Sequence, residues 1–244
     1  PRSRWDAQAA ALIDRYPLPV STGAANNYRR TPTESTDADQ FDARIDRVLT
    51  AQRLFARYSF LRDDSRPATP LPDGSGAIGS GVIGATLTRS DSVAVEHSWT
   101  LSPRAVNELR GGFTTRGVRR RALDTLTARA IANVPLTSFS TVMPLFELAG
   151  YQQLGPPSSS NARFDTSVTE VADTYSVSLG KHSVKVGADL RWERLDVLQP
   201  PNPTGDFQFS NILTSGLTAT GTPATGTGNS GYSNWWVNVR RSRR

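Results

Sequence analysis

The sequence contains no cysteine. Disulfide frameworks, thiolate zinc sites and thiol catalysis are therefore excluded. Histidine is nearly absent too: His97 and His182 are the only two, and neither belongs to a spacing that suggests a ligand set or a triad. No stretch approaches the roughly 18 apolar residues of a membrane-spanning helix. The opening Pro1-Arg-Ser-Arg-Trp-Asp6 leads into no apolar run of the kind a secretory leader carries. A helical membrane protein is excluded. A membrane β-barrel is not, because barrel strands alternate and never look hydrophobic as a block.

The formal net charge of +6 points first to an acidic partner such as nucleic acid. However, Arg240, Arg241, Arg243 and Arg244 supply most of that excess. The basic character is largely a tail effect, which weakens the nucleic-acid reading.

Trp5 to Tyr16 is the one helical stretch, with Ala9, Leu12, Ile13 and Tyr16 at helical spacing and Pro17 to stop it. Residues 17 to 37 read as an irregular connection. From Asp39 the period becomes two. Phe41, Ala43 and Ile45 share one face against Asp42, Arg44 and Asp46, and after a turn near Thr50-Ala-Gln52 the pattern resumes with Leu54, Ala56, Tyr58 and Phe60 against Arg57 and Ser59. A second hairpin sets Val93, Val95, Trp99 and Leu101 before the turn Ser102-Pro103-Arg104, and Leu109, Gly111 and Phe113 after it, against Glu108 and Arg110. The third is the clearest. Tyr175, Val177 and Leu179 precede the turn Gly180-Lys181-His182. Val184, Val186, Ala188, Leu190 and Trp192 then oppose Ser183, Lys185, Gly187, Asp189, Arg191 and Glu193.

These are six strands, or eight with weaker patterns near Val82 to Leu87 and Phe207 to Ile212. The turns within hairpins are tight, whereas the connections between hairpins, about 63 to 84 and about 117 to 165, are long. Short turns alternating with long loops is the asymmetry of outer-membrane barrels. A soluble sandwich has no reason to sort its loops so. The expected fold is all-β: a partial antiparallel transmembrane barrel with long loops and a short N-terminal helix. Asp42, Arg44, Asp46, Arg57, Glu108, Arg110, Lys185, Asp189, Arg191 and Glu193 are expected on a wet lumen wall, because so many charges on one face need water. Phe41, Ile45, Tyr58, Phe60, Val184, Val186, Leu190 and Trp192 are expected to face lipid.

Three motifs invite other chemistry. Gly74-Ser-Gly-Ala-Ile-Gly79 matches a dinucleotide fingerprint, but Pro67, Pro70 and Pro72 precede it where a strand is needed, so it reads as a loop. Arg110-Gly-Gly-Phe113 with Arg116 and Arg119-Arg-Arg121 resembles a nucleic-acid-binding segment. The alternation of Leu109 and Phe113 favours a strand running into a basic loop, where arginines can meet lipopolysaccharide phosphates. The carboxylates are interleaved with arginine and lysine, so they read as a paired, hydrated wall and not as acid–base catalysts. No catalytic residue, metal or cofactor is assigned.

Specific wording adds to the pattern. Ala11-Leu-Ile-Asp-Arg-Tyr16-Pro-Leu-Pro19, Ala25-Asn-Asn-Tyr28 and Asp39-Gln-Phe-Asp-Ala-Arg-Ile-Asp46 resemble the Oar-like TonB-dependent receptor family. So do Leu54-Phe-Ala-Arg-Tyr-Ser59, Leu101-Ser-Pro-Arg-Ala-Val-Asn-Glu-Leu-Arg-Gly-Gly-Phe113, Gly180-Lys-His-Ser-Val-Lys-Val-Gly187 and Gly205-Asp-Phe-Gln-Phe209, in the family's order. The resemblance implies a barrel of about 22 strands closed by a plug, taking up a large, scarce solute with energy from the inner-membrane TonB complex. The chain then divides into an N-terminal helix and irregular connection over 1–38, a partial barrel over 39–229 and a non-family basic tail over 230–244, read as a frameshift or misjoined frame near Ser230. A minority of one barrel without plug or TonB-contacting box is not expected to transport alone. The alternatives are a non-transporting outer-membrane adhesin or surface barrel, and a soluble basic β-domain that binds nucleic acid.

Overall fold

The computed structural model describes residues 7–23, 25–76, 84–123, 141–212, 215–224 and 227. In chain order they form α1 (Ala7–Ile13), β1 (Ser35–Val48), β2 (Gln52–Arg66), β3 (Ala85–Ser102), β4 (Ala105–Arg121), β5 (Leu145–Leu148), β6 (Ala162–Leu179), β7 (His182–Leu198) and β8 (Asp206–Phe209). Six strands make one antiparallel sheet in the order β1-β2-β3-β4-β6-β7. Each strand pairs with its neighbour in sequence, apart from the excursion through β5. The sheet is open, with β1 and β7 as its two edges.

Alternating β-branched and aromatic residues suit a pleated surface, and the turns between them fix the pairing. Between β6 and β7 only Gly180 and Lys181 intervene, and Leu179 pairs with His182. Gly180 takes a left-handed φ of 63°, which suits the first position of a two-residue hairpin loop whose twist matches its strands. Residues 49–51 and 103–104 close the other two hairpins at the same end of the sheet. The described parts of the two long connections, 67–76 with 84, and 122–123 with 141–161, lie at the opposite end. Residues 7–34 enter there and the chain leaves β7 there, since Ser35 pairs with Arg66 and Arg163 with Leu198.

The sheet strands hold 14 to 18 residues, whereas a tilted strand needs roughly 9 to 11 to cross a bilayer. They outrun the hydrophobic alternation, chiefly at the long-loop end. This shortens the connections relative to expectation: β2 continues to Arg66, β4 to Arg121, and β6 begins at Ala162. The added segments carry charges on both faces, so apolar periodicity does not reveal them. The expected weak strand near Val82 to Leu87 is the start of β3 where it is described; Val82 and Ile83 lie outside the described residues. The strand expected near Phe207 to Ile212 is shorter, and it is not part of the wall. Instead, β8 pairs in parallel with β5. The helix is shorter than its pattern, ending at Ile13, and Trp5 lies outside the described residues.

At the long-loop end these pieces share a small core. Leu12 of α1, Leu71 of the first long connection, Met143, Phe146, Leu148 and Leu154 of the second, and Phe209 of β8 are buried together. Phe146 and Phe207 stack with ring centroids 5.2 Å apart. Polar contacts tie the same segments: Arg15 pairs with Asp73 at 2.7 Å, and the Arg30 guanidinium donates to the carbonyl of Leu71 at 2.6 Å and of Thr69 at 2.7 Å. The buried Ser75 hydroxyl accepts the Gly155 N–H at 3.0 Å. Ser75 is the centre of the first half of the glycine motif, with Gly74 and Gly76 in left-handed conformations on either side, so that half is a structural bend of this cap. Gly79 lies outside the described residues.

Tyr16 donates its hydroxyl to the Gln152 carbonyl at 2.6 Å. Burial, with Tyr151 and Asp73 nearby, pushes its phenol above the ordinary range. Below about pH 10 the phenol is neutral folded or unfolded. Above that an unfolded phenol ionises while the folded one does not, so the cap loses stability as pH rises. An ultraviolet phenolate titration is expected to lose its last-titrating group in Tyr16→Phe. Leu154, fully buried, gives the complementary expectation. Leu154→Ala costs the cap roughly 2–5 kcal/mol, read as faster hydrogen exchange in residues 141–160 with the β6–β7 ladder unchanged. Uniform acceleration across both would show that cap and sheet unfold as one unit.

Candidate functional site

Residues paired across an antiparallel ladder project from the same face. The register therefore assigns every wall side chain. Arg44 pairs with Arg57, Arg57 with Ala94, Ala94 with Gly112, Gly112 with Glu170, and Glu170 with Arg191. The neighbouring row on that face runs Asp46, Phe55, Glu96, Arg110, Ala172, Asp189. By the same parity Asp42, Glu108, Lys185 and Glu193 belong here too. All ten charged residues singled out in the sequence thus lie on one face.

The opposite face carries the row Ile45, Ala56, Val95, Gly111, Val171, Leu190, and beside it Ala43, Tyr58, Val93, Phe113, Thr169, Trp192. Phe41 and Phe60 pair in the next row, and Val184 and Val186 continue toward the tight turns. All eight apolar residues singled out share this second face. Its side chains are open: Ile45 is 74% exposed, Val186 64%, Leu190 56% and Trp192 56%. A soluble sheet would bury such a face against a partner layer. No second layer covers it among the described residues.

Two aromatic rows edge the apolar band. Trp99 and Tyr175 lie toward the tight turns, where Trp99 pairs with Asn107 and Asn107 with Tyr175. Tyr58, Phe113 and Trp192 lie six positions further along, about 20 Å at a typical strand rise. Beyond the second row the same face turns charged, with Arg89, Asp91, Arg119, Asp165, Arg194 and Asp196.

The charged face is internally paired. Arg44 meets Asp46 at 2.6 Å, Arg191 meets Glu193 at 2.7 Å, and Arg110 reaches both Glu96 and Glu108 at 3.5 Å. Ser59 donates its hydroxyl to Asp42 at 2.5 Å. The Arg44 guanidinium also covers the Phe55 ring at 4.6 Å, so an aromatic on this face sits beneath a charge. On this face carboxylates and arginines are thus interleaved and in several places paired with one another.

Three features escaped the sequence pattern. Glu170 joins the charged face because β6 begins twelve residues before the alternation at Thr174 becomes legible. Asp173 lies on the apolar face opposite Leu109, where Asn107 donates to it at 2.7 Å. The arginine-rich segment of β4 is divided by parity: Arg110, Arg116 and Arg120 share the charged face, while Arg119 and Arg121 extend the apolar one. The charged strand ends had a signal of their own. Arg-x-Asp recurs at Arg44–Asp46, Arg89–Asp91, Arg163–Asp165 and Arg194–Asp196, each an ion pair between alternate residues of one strand.

His97 lies on the apolar face, 6.3 Å from the ring of Trp99 and 3.2 Å from the Gln52 amide oxygen. His182 opens β7 beside the tight turn.

Among proteins already described, no curated sequence matches this chain. No solved structure matches it. The family model described as "Outer membrane beta barrel domain" matches residues 1–239, nearly the whole chain. With an open six-stranded antiparallel wall, an exposed apolar face and loops sorted by length, the chain belongs to the outer-membrane β-barrel domain family and resides in the outer membrane.

Proposed function

We propose that these six strands form part of the barrel wall of a TonB-dependent transporter of the Oar-like kind, with the charged face lining a water-filled lumen and the apolar face meeting lipid. The observation that carries this reading is the segregation of charge by parity between the two aromatic rows, where only Arg47 and Asp173 depart from it. An arginine or lysine on the lipid side costs roughly 2–4 kcal/mol at the bilayer midplane, and a carboxylate costs less. Ten such residues can face only water. Loop lengths support the same orientation, with tight turns on the periplasmic side and the long connections, gathered into the cap, outside. Eight strands are the fewest in the known bacterial barrels, so a six-stranded sheet is a share of a wall.

The transported solute, on this reading, is large and scarce, and it first meets the cap and its loops. The energised step in the resembling family belongs to a plug pulled by TonB. Wall strands hold the pore open but supply no moving part. TonB-coupled uptake by liposomes containing this chain alone would contradict that division of labour.

Orientation is directly testable because the chain has no native cysteine. Single cysteines placed at Asp189, Leu190, Arg191 and Trp192 in lipid-reconstituted protein are expected to alternate toward a water-soluble maleimide. The sites at Asp189 and Arg191 label fast and the other two stay protected. Equal labelling at all four would sink the wall assignment. Leu190→Arg is expected to destabilise the lipid-inserted sheet by roughly 2–4 kcal/mol, measured by denaturant titration of inserted protein, whereas Asp189→Arg is tolerated.

A further inference from the structure

Where the apolar face turns charged, the sheet has a hollow of about 520 Å³. Its floor is Gly117, which lacks a side chain between Arg89 and Asp165 in the same row. A Cβ added at Gly117 would come within 3.4 Å of the Asp165 carboxylate and 3.6 Å of the Arg119 guanidinium. Around this floor stand Arg89, Arg119 and Arg194, with Asp91, Asp165 and Asp196. Arg119 pairs with Asp165 at 2.7 Å, Arg89 with Asp91 at 3.0 Å and Arg194 with Asp196 at 2.8 Å. Asp165 is further held by Arg163 and lies directly across the ladder from Asp196.

A guanidinium offers five N–H donors in a planar fork, and one carboxylate takes at most two of them. The hollow therefore presents arginine donors already oriented by their aspartates, together with aspartate oxygens that accept further hydrogen bonds. Arg121 and Arg163 extend the same face. At this end of β3, β4, β6 and β7 arginines outnumber carboxylates there, five to three. Oriented guanidinium groups fit phosphate oxygens bidentately, and neighbouring carboxylates fit sugar hydroxyls. The hollow is also continuous with the apolar band through Thr115, which shares a strand face with both Phe113 and Gly117.

We propose that the hollow over Gly117 binds the phosphorylated sugar headgroup of an outer-leaflet glycolipid, whose acyl chains lie along the apolar band beside Phe113 and Trp192. The proposal rests on the lipid-facing assignment of that band. Charge selects an anionic headgroup, the mixed arginine–aspartate lining selects a phosphosugar over a simple phosphodiester, and the band beneath selects a lipid over a free ion.

The test uses the whole chain in detergent micelles and three probes: a bisphosphorylated glucosamine-disaccharide lipid, phosphatidylglycerol, and inorganic phosphate. Binding is read by native mass spectrometry and by displacement of a fluorescent glycolipid. The wild type is expected to prefer the glycolipid. Arg119→Gln with Arg194→Gln is expected to weaken it about tenfold or more, the loss of charge-assisted hydrogen bonds. Gly117→Leu, which keeps every charge but fills the floor, is expected to do the same, while Arg191→Gln on the opposite face changes nothing. Unchanged circular dichroism guards both hollow variants against misfolding. Equal binding of phosphatidylglycerol, full competition by inorganic phosphate, or insensitivity to both hollow variants overturns the proposal. Quenching of Trp192 by brominated lipid separates the two levels of inference. If quenching holds and binding ignores the variants, only the headgroup site falls; if quenching fails, the lipid-facing assignment falls with it.

Discussion

The rest of this structure depends on the backbone ladder that runs from β1 to β7. In a bilayer no water reaches the N–H and C=O groups, so each must find a partner within the protein. An antiparallel ladder supplies those partners. In doing so it removes nearly all freedom from the side chains, because each residue's face is then decided by parity alone. A one-residue slip in any pairing would exchange the two faces of every strand beyond it. The hairpin between β3 and β4 shows how finely this is set. Its turn pairs Ser102 with Ala105, a register that, continued, would bring Glu108 opposite Trp99 and Leu109 opposite Ser98. A bulge at Leu101 instead pairs Thr100 with Val106. From there Leu109 meets His97 and Glu108 meets Ser98, so the charge of Glu108 joins the charged face. One extra residue in the ladder keeps β4 and both following strands in phase.

Parity is also why so much was legible in the sequence. From Ser183 to Glu193 apolar and polar residues alternate without a fault, so β7 declared its strand, its turn and both its faces. The same holds for the apolar stretches of β1 and β2. What the pattern could not show are the places where alternation is not hydrophobic. The outer ends of β2, β4 and β6 alternate charge with charge, since both faces there are polar. The long-loop elements are set by contacts between segments far apart in sequence, which no local period records: β5 and β8 have only four residues each and exist because they pair with each other. The bulge at Leu101 leaves no compositional mark.

The faces are not uniform, and the exceptions follow rules. Asp173, on the apolar face, lies among Leu109 and Ala188, where an unpartnered carboxylate would be costly. The Asn107 amide on the same face satisfies it. Conversely, Phe55 and Phe164 lie on the charged face, and each is covered by a guanidinium, Arg44 at 4.6 Å and Arg120 at 5.4 Å. Arginine presents an apolar stem and a planar cation, so it can shield an aromatic ring while keeping its charge in water. Asp173, Phe55 and Phe164 are thus each made compatible with their face by a neighbour on that same face.

The cap changes what the long connections are. Read from sequence, the long loops carry no sign of contact with one another. Here Leu12, Leu71, Leu154 and Phe209 come from four separate stretches and share one core. Moving any one of them away exposes its partners, at a cost on the order of a buried leucine, a few kcal/mol. The arginine contacts add to this, since Arg30 bonds two carbonyls of the first long connection and Arg15 pairs with Asp73. Segments coupled in this way move together or not at all. At the long-loop end the wall therefore carries one folded surface anchored to several strand ends. Any opening of that surface draws on the stability of the whole cap.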